Sequence, residues 1–298
     1  LTQGMVIAET FYQVDEHRQK HYFNLTEIEV ERNSKGKIIA AKSLADGSEV
    51  TIGNTEKMSK SKNNGIDPQA LINKYGADTV RLYTMFTSPP DQSLEWNDAG
   101  VDGASRFLKR LWRQAFLHIN EGLNEQVLDK ASLNADEKKL RCQLHQTLEK
   151  VADDLGRRHT FNTAIAANME LLNSLSKFKG DSANAKALRQ ETLEAITLML
   201  SPIVPHICRQ LWTELGQQGD VVSQRFPEVD KDAMQQDAMT IIIQVNGKLR
   251  SKLEVEVNAT KEQIQELALA DEHAQRFIDG KAIKKVIVVP KKLVNIVV

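Results

Sequence analysis

Short apolar runs and alternations dominate the chain before residue 53, and they predict strands. Gly4-Met5-Val6-Ile7-Ala8 has the continuous apolar character of a buried strand. No earlier element is at hand to pair with it, so its edges are expected to stay open and its order to be poor. Phe23, Leu25, Ile28 and Val30 carry the strand pattern to a turn at Asn33-Ser34-Lys35-Gly36, and strands over 37–42 and 49–52 flank an Asp46-Gly47 turn. A polar loop, 55–65, follows. Asp67-Pro68 then opens a helix through Lys74, and Asp78 starts a second over 79–87 that Pro89-Pro90 ends.

From Asp98 the apolar spacing changes to that of helices, over 99–120, 135–156, 161–178, 184–200 and 204–215, which is enough for a bundle. In the first of these, Phe107, Leu108, Leu111, Trp112, Ala115 and Ile119 form the buried stripe, and Trp96, Trp112 and Trp212 are expected in the core. Arg106, Lys109, Arg110 and Arg113 fall outside that stripe, either as a solvated face or as a contact to nucleic acid. Asn134 with Glu137 fits a capping box, Gly122 and Gly216 fit helix stops, and Pro202 and Pro205 separate the last two helices.

The chain then crosses a polar segment with little periodicity, 220–238, and returns to strands. Ile241, Ile243 and Val245 alternate up to an Asn246-Gly247 hairpin turn, and Leu253, Val255 and Val257 alternate after it. Thr260 with Gln263 caps a helix through Ala270, a short helix covers 272–278, and strands over 285–289 and 293–298 lie on either side of Pro290. This reads as a small α+β module.

Length adds scale to that picture: 298 residues with 41% hydrophobic composition suffice for two or three domains. No window approaches the 18 apolar residues of a membrane span and no signal peptide opens the chain, so a cytoplasmic protein without membrane contact is expected. Cys142 and Cys208 lie 66 positions apart without ligand spacing, which points to two buried thiols and no metal site. The net charge of −1 leaves room for a local basic patch. Between Thr240 and Val298 ten Lys/Arg face seven Asp/Glu, and Lys248, Arg250, Lys252, Lys284, Lys285, Lys291 and Lys292 are the candidate RNA contacts, whose affinity would fall with salt. His159 and His206 have no carboxylate or serine arrangement near them in sequence and are expected to pack or cap.

The polar loop holds the chemistry. Lys57-Met58-Ser59-Lys60-Ser61, followed by Lys62, Asn63, Asn64 and Gly65, sets ammonium groups, hydroxyls and backbone N–H groups close enough to wrap a polyphosphate. The paired asparagines and Gly65 are expected to let the loop open for a nucleotide and close for chemistry. The pentapeptide should arise by chance in roughly one chain in several thousand of this length. With it, the chain resembles class I aminoacyl-tRNA synthetases.

The resemblance runs end to end with the C-terminal portion of the bacterial leucyl-tRNA synthetase family. It is carried by 1–6, the β-rich segment before Lys57, Tyr75-Gly76-Ala77-Asp78-Thr79-Val80-Arg81-Leu82, Leu94-Glu95-Trp96, Arg106-Phe107-Leu108-Lys109-Arg110-Leu111-Trp112, Thr160-Phe161-Asn162-Thr163-Ala164-Ile165, Pro205-His206-Ile207-Cys208 and Val245-Asn246-Gly247-Lys248. The isoleucine, valine and methionine enzymes share the loop and a bundle, and remain alternatives, as does a stand-alone tRNA-binding module. The resemblance implies a multidomain, mainly α protein. Residues 1–10 and 53–98 would end a Rossmann-type catalytic domain and its stem-contact region, and 11–52 would be a leucine-specific β insert. Residues 99–219 would be the anticodon-binding bundle, 220–238 a linker, and 239–298 an α+β tRNA-binding domain. It further implies activation of leucine by ATP with Mg2+ and transfer to tRNA(Leu) by a monomer. Lys60 would be the main catalytic residue and Lys57 the second, with Met58, Ser59 and Ser61 completing the ATP loop. An upstream portion would hold the HIGH motif, the zinc module, the editing domain and most of the leucine pocket, so the chain alone is expected to be inactive.

Overall fold

In the computed structural model, which describes residues 4–34, 37–123, 127–235, 238–256, 259–289 and 292–298, strand β1 (Val6–Val14) is the hub of the first sheet. It pairs antiparallel with β2 (Lys20–Phe23) on one side and with β5 (Thr51–Lys57) on the other, and its first residues pair in parallel with β6 (Leu94–Glu95). The open edges expected for this strand are therefore not found, because its partners arrive from downstream segments. Between β2 and β5 the hairpin of β3 (Ile28–Arg32) and β4 (Ile38–Ser43) closes a small core of Phe11, Ile28, Ile38, Ala41 and Val50. Lys35 and Gly36 of its expected turn lie outside the described residues.

The strand expected at 49–52 differs in both extent and partner. Only an isolated Lys42–Glu49 bridge joins it to β4; the strand itself runs Thr51–Lys57 and pairs with β1. Three residues of the polar loop are thus strand. Their polarity reflects exposed side chains, while their backbone groups are satisfied by β1.

Helix α1 (Pro68–Tyr75) starts at an Asp67 cap with proline in its first turn, and Gly76, at φ 84°, makes the corner into α2 (Ala77–Thr87). The bundle follows as α3 (Asp98–Asn120), α4 (Ala135–Asp153), α5 (Phe161–Lys177), α6 (Ala183–Leu200) and α7 (Pro205–Glu214), close to the expected bounds. Leu82, Tyr83 and Leu94 belong to the same apolar core as α3 to α7. Tyr83 sits edge-on to Trp96 at 4.9 Å, and its hydroxyl accepts from Asn97 N at 2.8 Å. Gly100 is required beside it, since a Cβ there would stand 2.6 Å from the Tyr83 ring.

Helix α2 also clamps the α6–α7 turn. Arg81 donates to the carbonyls of Ile203 (2.8 Å) and Pro202 (3.1 Å), and Asp78 accepts from Ile207 N at 2.7 Å in the first turn of α7. One tryptophan departs from expectation: Trp112 is 39% exposed, because Phe107, Leu111 and Ala115 take the inward arc of α3. Trp96 is half-buried and Trp212 is buried. Cys142 and Cys208 are buried thiols.

The chain divides into two units, Leu1–Val229 and Asp230–Val298. The second is a four-stranded sheet in the order β8-β7-β10-β9, from β7 (Ala238–Val245), β8 (Lys248–Glu256), β9 (Lys285–Val289) and β10 (Leu293–Val297). Helices α8 (Lys261–Ala270) and α9 (Glu272–Ile278) cover one face, burying Ile241, Ile243, Val255, Val294 and Ile296 with Ile264 and Ile278. Asn246 and Gly247, both at positive φ, make the expected hairpin turn. Val257 and Pro290 lie outside the described residues.

Candidate nucleotide-binding turn and basic surfaces

Lys57 ends β5 opposite Ile7, and the next residue, Met58, donates its N–H to Val6 O at 3.0 Å. Ser59 is extended, and Lys60–Lys62 form one turn of 3-10 helix that ends at Asn63 in the left-handed region, φ 50°. The turn is tight. Ser59 and Ser61 bring their hydroxyls within 3.2 Å, and Lys62 is ion-paired with Glu56. Lys57 and Lys60 are exposed, and among the described residues neither has an acidic partner. Two uncompensated ammonium groups therefore flank a pair of hydroxyls, which suits a polyphosphate.

The asparagines do not loosen this turn, as their polarity suggested; they fasten it. Asn64 is buried, its Oδ1 accepts from Ser59 N at 2.9 Å, and its Nδ2 lies 3.4–3.5 Å from the carbonyls of Ala8, Glu56 and Lys57. Asn24 Nδ2 donates to Asn63 O (3.0 Å) and Gly65 O (2.9 Å), and Asn63 Nδ2 donates to Glu27 Oε2 at 3.0 Å. Sequence reading missed Asn24 and Glu27. Their local signal, Asn followed three residues later by Glu, announces a capping box, which is present, and nothing more.

Among the described residues no group of three or more His, Cys, Asp or Glu side chains is placed to hold a metal ion. His206 does have a carboxylate, contrary to the sequence reading: its Nδ1 meets Asp78 Oδ1 at 2.8 Å, across a separation in sequence that hid the pair. His159 is exposed and takes a left-handed conformation at the end of the turn after α4.

The candidate basic residues of the second unit fall at both edges of its sheet, except Lys292, which precedes the inner strand β10. Lys248, Arg250 and Lys252 lie on β8, Lys284 and Lys285 at the start of β9, and Lys292 just before β10; Lys291 lies outside the described residues. Three interstrand steps, about 14 Å, separate the edges. Lys248 and Lys285 share the end of the sheet that carries the Asn246-Gly247 turn, whereas Lys252 pairs with Ile242 farther down. The Arg250 guanidinium is stacked 3.8 Å from the Phe277 ring centroid, so its charge is partly committed within the unit. On α3, Arg106, Lys109, Arg110 and Arg113 are exposed, and Arg110 donates to Asn173 Oδ1 at 2.9 Å.

Residues 42–97 match the family described as tRNA synthetases class I (I, L, M and V), and residues 137–265 match the anticodon-binding domain of tRNA ligase. The chain is 54% identical over 299 residues to the leucine–tRNA ligase of Xanthomonas campestris pv. campestris (strain 8004) and 53% identical over 298 residues to that of Stenotrophomonas maltophilia (strain K279a). Each comparison covers 100% of this chain and 34% of the relative, so the chain spans about a third of the length of the curated relatives it matches. Among solved structures, the ternary complex of Agrobacterium radiobacter K84 agnB2 LeuRS, tRNA and LeuAMS superposes with a TM-score of 0.64 at 27% identity, over 81% of this chain and 31% of that one. No helix among the described residues is long and apolar enough to cross a membrane.

Proposed function

We propose that the chain is part of a class I aminoacyl-tRNA synthetase that activates leucine with ATP and transfers it to tRNA(Leu), a reading supported by leucine–tRNA ligases that match it along its whole length and by the class I match over residues 42–97. In the first step a leucine carboxylate oxygen attacks the α-phosphorus of ATP, the bond to the bridging oxygen breaks, and pyrophosphate leaves with the added negative charge. Lys60, with Lys57 beside it, would meet that charge. The observation that carries the reading is the pair of exposed lysines with no acidic partner among the described residues, held on a turn whose third lysine is already neutralised by Glu56. Donors set in advance where charge develops lower a barrier most, because nothing has to reorganise during reaction. Met58, Ser59 and Ser61 complete the ATP-binding turn, with the hydroxyls of Ser59 and Ser61 aimed at the remaining phosphate oxygens.

The second step needs the tRNA. We assign 1–10 and 53–98 to the catalytic domain and its stem contact, 11–52 to the leucine-specific insert, 99–219 to the anticodon-binding bundle, 220–238 to a linker and 239–298 to a tRNA-binding domain. Lys248, Lys252, Lys284, Lys285, Lys291 and Lys292 would meet phosphates, with Arg250 contributing through what charge its stacking leaves exposed. ATP would bring its own Mg2+.

Amino-acid-dependent ATP–pyrophosphate exchange on the full gene product tests the proposal. Leucine alone should support exchange, and Lys60→Ala should lower it roughly 10² to 10³-fold, the cost of removing one preorganised donor. A loss below about threefold would take Lys60 out of the mechanism. Exchange with isoleucine, valine or methionine instead would reassign the substrate, and none at all would favour a tRNA-binding module.

A further inference from the structure

The turn that carries Lys57 and Lys60 is closed from outside by a segment that reaches Asn63 and Gly65 across 36 to 41 positions of the chain. Asn24 spends both N–H groups of its side chain on the returning limb, one on Asn63 O and one on Gly65 O. Its Oδ1 is used separately, accepting from Thr26 N at 3.1 Å and from the Thr26 hydroxyl at 3.0 Å. Glu27 Oε2 is likewise shared: it accepts from Asn24 N at 2.7 Å and from Asn63 Nδ2 at 3.0 Å. Asn63 Nδ2 also lies 3.4 Å from Tyr22 O. On the inner side, buried Asn64 ties Ser59 N to the sheet strands β1 and β5. The base of the turn is therefore fixed from two directions, with Lys60 and Ser61 exposed at its tip.

We propose that Asn24 and Glu27 are positioning residues for Lys60: they latch Asn63 and Gly65, and through them set the height and direction at which the lysine pair meets the nucleotide. The inference rests on the reading of the turn as an ATP-binding element. Its physical content is that the β segment before β3 and the chemistry turn move as one body, so a displacement of 20–27 moves Lys60. Releasing the latch leaves Lys57 in place on β5 but lets Lys60 wander.

Asn24→Asp separates this role from a merely local one. Aspartate keeps the acceptor that caps the 25–27 turn, and is among the best caps, but it lacks both donors and faces the two carbonyls with a carboxylate. Asn63→Gly removes the bonds to Glu27 and Tyr22 while keeping the left-handed backbone. Brief trypsin digestion of the chain should show cleavage after Lys60 and Lys62 about tenfold faster in either variant, with cleavage after Arg32, Lys37 and Lys42 unchanged. In the full gene product, leucine-dependent exchange should fall about tenfold in kcat and rise in KM for ATP, with KM for leucine unmoved.

Unchanged cleavage at Lys60 and Lys62 would overturn the latch, and so would faster cleavage spread over the whole insert, or an equal rise in both KM values. If the unsubstituted gene product shows no exchange, the ATP reading fails, and the digestion still decides whether the latch exists.

Discussion

His118 is buried on α3 with its Nε2 2.6 Å from Gln190 Oε1 and, among the described residues, no partner for its Nδ1. A neutral ring that donates through Nε2 suits this site, whereas an imidazolium would hold a second N–H with nothing to accept it. Burial accordingly holds its pKa below the ordinary 6.5, against the opposing pull of the Gln190 bond. The unfolded chain takes up the proton as pH falls through 6.5 and the folded chain does not, so this contribution to stability is complete above that value and is lost below it. Glu194, reached through Gln190 at 2.6 Å and Gln217 at 2.7 Å, works in the opposite sense: burial raises its carboxyl, so folding gains as pH falls through its raised value toward 4.5. Thermal melts between about pH 7.5 and 5.5 should show the midpoint falling with pH, and His118→Gln should flatten that slope while Glu194→Gln leaves its direction unchanged. An undiminished slope in His118→Gln would place its origin elsewhere.

At the scale of elements, the π-type turn after α4 depends on one carboxylate. Asp154, wholly buried, accepts from Lys150 (2.6 Å), Arg158 (2.9 Å) and the hydroxyls of Thr160 (2.9 Å) and Thr163 (2.7 Å), bridging the end of α4 to the start of α5. Burial alone would raise its pKa, but these four donors together hold it below the ordinary 3.8, so its stabilisation is present above that value and fades as pH falls through the lowered one. Asp154→Ala should cost about 3 kcal/mol, less than a fully buried pair would because Lys150 and Arg158 can return to water, and lower the melting midpoint of the larger unit by about 6–12 °C. A shift under about 2 °C would show that the threonines alone hold the turn. None of this network was visible in the Thr160-Phe161-Asn162-Thr163 segment, whereas the helices around it were. Their 3.6-residue apolar period and their caps at Asn134 and Thr260 are local signals, and the structure keeps them to within a few residues. The hub position of β1, the pairing of β5, the outward Trp112 and the Asp78–His206 contact depend on partners far away in sequence, which periodicity does not encode. The same division holds at the site. The five residues of the signature are contiguous and therefore legible, while Asn24 reaches Asn63 and Gly65 across 39 and 41 positions.

On the scale of the whole molecule, the two units have separate interiors. The larger unit buries Leu82, Leu111, Leu144, Leu171 and Leu193 in one core and Phe11 and Ile28 in another, all before residue 230. Among the described residues, the smaller one buries ten in its core, from Ile241 to Ile296. A core made wholly of a unit's own residues lets that unit unfold without exposing the other's, so calorimetry should resolve two transitions rather than one. Size then sets how far a single cavity moves each of them. Removing the side chain of fully buried Ile243 costs about 2–5 kcal/mol, which in a unit of this size lowers the midpoint by roughly 10 °C or more. Leu171→Ala, equally buried, carries a similar free-energy cost but shifts the larger unit by only about 5–15 °C, because its unfolding entropy is greater. Each substitution should displace one transition and leave the other in place. Transitions that moved together under Ile243→Ala would mean that the smaller unit draws its stability from the rest of the chain, and that basic residues on its sheet edges answer to whatever happens at the helical bundle.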